Sequence, residues 1–263
     1  LAARGDLSLP VAPLALTAIG GFGPLVAAVT LTARRSGVPG VTALFARLDP
    51  RRIPRRWFLA PLLLAATNLA PVGAYLLAGG RLPDGGAVLG AVLTVPVQLV
   101  LVSVVGGGLD EETGWRGYAL PALLRTGSPA VAHVVLGVVW ACWHLPLWLD
   151  PTSSQAAYPF GIYLVTTALR SVLIGWMYCG AGGSLALAVL AHAVSNSADG
   201  LRYQLLGPAK GGLTQQLVLL GSLLLVAAVI AAATRGRFAA DVLEGRPRIP
   251  DRSRPDLSTT TTA

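Results

Sequence analysis

Charged side chains are scarce in this 263-residue sequence: Asp, Glu, Lys and Arg make up 12% of it, against 54% hydrophobic residues. Water-soluble domains carry about a quarter charged residues, so the balance excludes an ordinary soluble domain and points to lipid as the solvent. Cysteine is nearly missing too. Cys142 and Cys179 both lie inside apolar runs, which excludes a disulfide framework and leaves them as small buried hydrophobes. No segment repeats at a fixed period, as the halves of a symmetric transporter would. A His-Glu-x-x-His helix, the familiar zinc-protease motif, is absent. The first apolar run has no basic region ahead of it and no cleavage site behind it, so it reads as a membrane span.

Present in quantity are apolar runs of about 20 residues, the length that crosses a bilayer. Seven qualify: Leu9–Ala33, Trp57–Gly79, Ala87–Val105, Pro129–Leu149, Phe160–Cys179, the shorter Ser184–Ala198, and Leu213–Thr234. Backbone groups in hydrocarbon must satisfy one another, so such runs are helices, and their unbroken hydrophobicity excludes an alternating β-barrel pattern. The expected fold is an all-α polytopic transmembrane bundle of about seven spans, eight if an N-terminal piece is missing.

The net charge of +8 belongs to the loops. Arg34, Arg35, Arg47, Arg51, Arg52, Arg55 and Arg56 fall between the first two runs. Arg116 and Arg125 follow the third, and six arginines from Arg235 onward follow the last. The alternate loops hold Arg81, Arg202 and Lys210. This is the positive-inside distribution, which places the first loop and the C-terminus in the cytoplasm and makes the basic charge an orientation signal rather than a nucleic-acid surface. Three zones are expected: residues 1–86 with two spans and a basic cytoplasmic loop, residues 87–205 with nearly all the embedded polar groups, and residues 206–263 with a last span and a disordered cytoplasmic tail.

An ionisable side chain at bilayer depth costs on the order of 3 kcal/mol, so the embedded polar residues call for a reason. They form three clusters: Asp110-Glu111-Glu112-Thr-Gly-Trp-Arg116, Trp140-Ala-Cys-Trp-His144, and His192-Ala-Val-Ser-Asn196. Glu112 and Arg116 are four apart, so on a helix they stack as an ion pair and leave Glu111 rotated by about 100° to face elsewhere. Trp140 with His144, and His192 with Asn196, repeat that spacing. One or two carboxylates, two imidazoles and an amide suffice to activate a water and stabilise an oxyanion. Each cluster also has a bland reading as polar glue between helices. His133, without a polar neighbour at helical spacing, reads as structural. Asp110 reads as a helix flank, and Arg170 as reaching toward an interface or a neighbouring carboxylate.

In order and spacing these clusters resemble the CPBP family of intramembrane metalloproteases, which includes type II CAAX prenyl endopeptidases and bacteriocin-processing and immunity proteins. The resemblance rests on Glu111-Glu112-x-x-x-Arg116, Trp140-x-x-x-His144 and His192-x-x-x-Asn196, with Gly182-Gly183-Ser184-Leu185 ahead of the third, and covers residues 90–200. It implies an intramembrane endopeptidase of a multi-pass plasma-membrane protein, its site below the surface and opening to the cytoplasm. The substrate would be a membrane-associated or CAAX-like peptide or protein, with the lipid bilayer as the other partner and no nucleic acid. Glu111, Glu112, His144, His192 and Asn196 are the implied catalytic residues, supported by Arg116 and Trp140. Glu111 and His144 would activate water, while His192 and Asn196 would bind a metal or stabilise the oxyanion. Two versions of the site stay open: Zn2+ held by Glu111, His144 and His192, or a metal-free Glu and His pair. The reading from another class is a non-catalytic membrane immunity or scaffold protein.

Overall fold

The computed structural model describes residues 20–149, 153, 155, 158–207, 212–240 and 243. The tail, expected to be disordered, and the start of the first apolar run lie outside them. The described residues form helices and turns without a strand: α1 Gly23–Phe45, α2 Leu62–Leu77, α3 Gly85–Val104, α4 Leu109–Gly114, a π-helical turn Trp115–Ala119, α5 Leu120–Leu123, α6 Pro129–Trp143, α7 Phe160–Gly180, α8 Leu185–Leu206 and α9 Gly212–Ala233. The architecture is the expected all-α polytopic bundle.

Local sequence explains where the helices start and bend. Asp84, Ser128 and Ser184 accept from backbone N–H groups three residues on and so cap α3, α6 and α8. Pro129 occupies the first turn of α6, where its missing N–H costs nothing. α1 kinks at Gly37, whose φ is 62°, just before Pro39. Between the first two spans Asp49 accepts from the backbone N–H and Nε of Arg51, which caps a short 3-10 turn. Those hydrogen bonds hold its carboxyl below the usual range.

Among the described residues, five stretches are long and apolar enough to cross a membrane: Arg55–Leu77, Gly85–Leu123, Pro129–Leu149, Phe160–Gly180 and Gly212–Ala233. The run Ser184–Ala198 becomes the front of α8, a 22-residue helix that does not qualify by hydropathy. It needs no lipid-facing surface because it sits in the middle, against α2, α3 and α7. α3 runs antiparallel to it, with Gln204 Nε2 donating to Thr94 Oγ1 at one level and Asn196 Nδ2 donating to Gly106 O lower down.

The bundle has two distinct ends. At one, Arg47 donates to Tyr178 Oη (2.7 Å) and Gly117 O (2.6 Å), tying the chain after α1 to the end of α7 and the π turn. Trp57 meets Trp176 edge-on, and His133 meets Phe238, so α2, α6, α7 and α9 join the same end. Leu44, Leu120, Leu136, Leu173, Met177 and Leu185 fill it. The arginines crowd here: Arg34 and Arg35, the five from Arg47 to Arg56, Arg125, Arg235 and Arg237. At the opposite end, Arg81 is the one loop arginine among the described residues.

Candidate active site

The site is assembled where α3 stops short. Gly106 and Gly107 have φ of 122° and 113°, a conformation L side chains rarely adopt. Asp110 accepts from both of their N–H groups, at 3.0 and 2.9 Å, and so stabilises the bend. It is a buried loop cap rather than the helix flank expected from its position. The bend lets α4 descend beside α8, bringing Glu111 and Glu112 level with His192. A Cβ on Gly107 would overlap the His192 ring, so only glycine allows this approach.

The two adjacent glutamates take different surroundings. Glu112 Oε1 accepts from Arg116 Nη1 at 2.8 Å and contacts His192 Nδ1 at 2.8 Å, with all three side chains buried. The ion pair expected from the spacing therefore forms, and it has a third member. Glu112 does not reach the cavity. It stands behind His192, in contact with that ring's Nδ1.

Glu111 faces the other way, into the cavity. Its Oε2 accepts from the indole N–H of Trp140 (2.5 Å) and of Trp115 (3.1 Å), and its Oε1 lies 3.8 Å from His144 Nε2. His144 Nδ1 sits 2.9 Å from Trp140 O. A carbonyl only accepts, so Nδ1 carries the proton and Nε2 is left toward Glu111. Trp140 thus does more than pack beside His144. Its indole ring carries the Arg116 guanidinium over its face at 4.9 Å, and its N–H orients the carboxylate. Sequence reasoning missed Trp115 in this role, although it stands four residues after Glu111, the same spacing that marked Glu112 and Arg116. The π turn begins at Trp115, and such widened turns recur at functional sites.

Glu111, His144, His192 and Asn196 all line one cavity of about 1240 Å³. Asn196 is exposed within it, its amide donating to Gly106 O at 3.3 Å. Higher in the same cavity Arg170 donates to Asn68 Oδ1 (2.8 Å) and lies 3.7 Å from Asp199, the neighbouring carboxylate expected for it. Asp199 is also held by Arg202. His133 lies apart, buried against Phe238 and under Gly175.

The expected zinc ligands do not gather. Among the described residues no three His, Cys, Asp or Glu side chains form a metal-holding group. His144 and His192 each have Nδ1 engaged, by a carbonyl and by Glu112, and Glu111 Oε2 is taken by two indoles. That leaves Nε2 of both rings and Glu111 Oε1, and a histidine whose Nδ1 is held in this way keeps Nε2 as a potential ligand.

Comparison with known proteins agrees on one segment. Residues 93–198 match the family described as type II CAAX prenyl endopeptidase Rce1-like. A protein named CAAX prenyl protease 2, from Methanococcus maripaludis, is 32% identical over 108 residues, which is 39% of this chain and 39% of that relative's own length. Glu111, Trp140, His144, His192 and Asn196 all lie inside the matched span. Over residues 93–198 the chain is thus similar to the Rce1-like type II CAAX prenyl endopeptidases.

Proposed function

We propose that the chain is a membrane endopeptidase that hydrolyses a peptide bond of a membrane-associated peptide or protein, using a water activated between Glu111 and His144. The observation that carries this reading is the 3.8 Å separation of Glu111 Oε1 and His144 Nε2. It is too long for a direct hydrogen bond and short enough for one water to touch both atoms. The two indoles bind Oε2, so Oε1 is the oxygen left to take a proton.

The reaction then balances with these side chains alone. The water gives a proton to Glu111 as its oxygen adds to the scissile carbonyl carbon. The carbonyl oxygen becomes an oxyanion, met by the Asn196 amide N–H and by His192 Nε2 when that ring carries both protons. His192 is held for this by Glu112, itself held by Arg116. The proton passes from Glu111 to the leaving nitrogen, directly or relayed through His144 Nε2, the C–N bond breaks, and a carboxylic acid, which then ionises, and an amine leave. No step of this reading runs through a metal.

Purified protein in detergent, given a fluorogenic peptide library, tests this. Glu111→Gln is expected to keep the wild-type unfolding temperature and to lose roughly 10²–10⁴-fold in kcat. Wild-type rates in that variant would overturn the reading. A strong chelator is expected to leave the rate unchanged, and loss of activity with recovery on added zinc would show the metal-free route to be wrong.

A further inference from the structure

Seven arginines and a single acid, Asp49, are the charged side chains of residues 34–56. Arg34, Arg35, Arg51, Arg52, Arg55 and Arg56 are exposed. Asp49 pairs with Arg51 at 2.9 Å and stands 3.7 Å from Arg52. Among the described residues the other five arginines meet no carboxylate.

The basic segment is held in place at two points. Arg47 donates to Tyr178 Oη and Gly117 O. Trp57 packs edge-on against Trp176 and over Gly180, where a Cβ would overlap its ring. Between these anchors lies the short turn Pro50–Arg52, capped by Asp49. It faces the connection between α7 and α8, where Gly182 and Gly183 have φ of 68° and 80° and donate to Cys179 O and Tyr178 O. Arg47, Arg52, Ala181, Gly182, Gly183 and Ser184 line a cavity of about 270 Å³ between the two turns. Among the described residues its lining holds two guanidiniums and no acid. The Arg52 side chain is 63% exposed, so the cavity is open along that wall.

Size and depth point to the occupant. Sites for drug-sized molecules run to roughly 300–1,000 Å³, so this one suits a single phosphate group and little more. Arginine is the side chain whose donor fork matches phosphate oxygens. The cavity also lies where apolar stretches meet water. The stretch Phe160–Gly180 ends at the residue before Ala181, and the stretch Arg55–Leu77 begins three residues after Arg52. That is the level of lipid headgroups. Val38, Phe45, Phe58 and Leu59 stand among the arginines and are between 37% and 78% exposed, a surface suited to acyl chains beside basic residues.

We propose that the cavity between Arg52 and the turn 182–184 binds the phosphate of an anionic phospholipid, with its acyl chains against Phe58 and Leu59. Arg52 contacts the phosphate, while Arg47, already engaged by Tyr178 and Gly117, supplies charge and holds the wall. A zwitterionic lipid brings the same phosphate with a cation attached, which the two arginines repel. Inorganic phosphate brings the charge without the chains. Lipid binding here is independent of the chemistry at Glu111.

Full-length protein in a nonionic detergent is titrated with short-chain phosphatidylglycerol, short-chain phosphatidylcholine or inorganic phosphate, and bound ligand is counted by native mass spectrometry. One phosphatidylglycerol is expected to bind at least about tenfold more tightly than either of the others. Removing one arginine beside a headgroup weakens binding about fivefold, which is the loss expected for Arg52→Gln. Arg52→Glu is expected to erase the preference for phosphatidylglycerol over phosphatidylcholine. Arg34→Gln, outside the cavity, is expected to change the affinity by less than about twofold. All three substitutions are at exposed positions and are expected to keep the wild-type unfolding temperature without lipid. Equal affinity for the two lipids would overturn the proposal. Equal losses in Arg52→Gln and Arg34→Gln would overturn it too, because they would mean diffuse attraction to a basic surface. Inorganic phosphate bound as tightly as phosphatidylglycerol would make the cavity a site for a free anion and end the lipid assignment.

Discussion

α3 and α8 lie side by side, are nearly equal in length and play opposite parts. α3 is among the most apolar stretches of the chain, and within it only Ala91 is buried, with Leu93, Val97, Val100 and Leu101 at least 60% exposed. α8 is too polar to qualify as a span by hydropathy, and it buries Leu185, Ala188, His192, Ser195, Arg202 and Leu206. Surrounded by lipid, the periphery of a helical bundle is apolar by necessity, while the interior can hold whatever pairs with itself. Hydrophobicity here marks what touches the membrane, and polarity marks what touches the site. The comparison therefore predicts that stability and activity are sensitive to substitutions around α8 and indifferent to substitutions on the outer face of α3.

The largest effect on stability is expected at Arg116. Its Nη1 pairs with Glu112 at 2.8 Å, and both side chains have no exposure. Arg116→Ala leaves Glu112 buried without its cation, at a cost of about 3–5 kcal/mol. Reversible unfolding in mixed micelles would measure this, and a loss under about 1 kcal/mol would mean that water reaches Glu112. The comparison with Glu111→Gln sharpens the contrast between the adjacent acids. Stability should fall in the first variant and activity in the second, and the opposite assignment would show their roles to be exchanged.

A smaller effect is expected at the joint between the two helices. Gly107→Ala puts a Cβ into the His192 ring and forces a residue with a side chain into a φ of 113°. Strain of that kind costs about 1–3 kcal/mol. The displaced ring moves away from Glu112 and from the oxyanion position, so kcat should fall with little change in KM. A rise in KM alone would place His192 in substrate binding instead.

The fold was legible in the sequence because its dominant constraint, helix length against bilayer thickness, acts one segment at a time. Run length could not show that Ser184–Ala198 belongs to the centre of the bundle rather than to a lipid-facing span, because burial against α2, α3 and α7 is a long-range property. The site was legible to the extent that it obeys helical spacing: Glu112 with Arg116, and His192 with Asn196, each four apart. What spacing could not convey is which neighbours cross between helices. The indole of Trp140 reaches Glu111 from 29 residues away, and Glu112 meets His192 across 80. For the same reason spacing paired Glu112 with Arg116 but could not show that His192 joins them behind the cavity. The bend at Gly106 and Gly107 likewise depends on a contact that spacing does not convey, Asp110 accepting from both N–H groups.

The smallest effect is expected on the outer face of α3, and it tests the inside-out pattern most directly. Leu93 is 66% exposed and makes no part of either buried core cluster. In a bilayer that surface meets lipid tails both before and after the helices associate, so truncating it removes little that folding gains. Leu93→Ala should change unfolding stability by less than about 0.5 kcal/mol, the usual range for a substitution that touches no packed contact, and leave kcat unchanged. A cost comparable to that of Arg116→Ala would mean that this face is covered by protein in the membrane, either a second copy of the chain or another partner. Repeating the measurement at several protein-to-detergent ratios separates the cases. A self-associated face would show a stability that rises with protein concentration, whereas a face meeting only lipid would show none of that dependence.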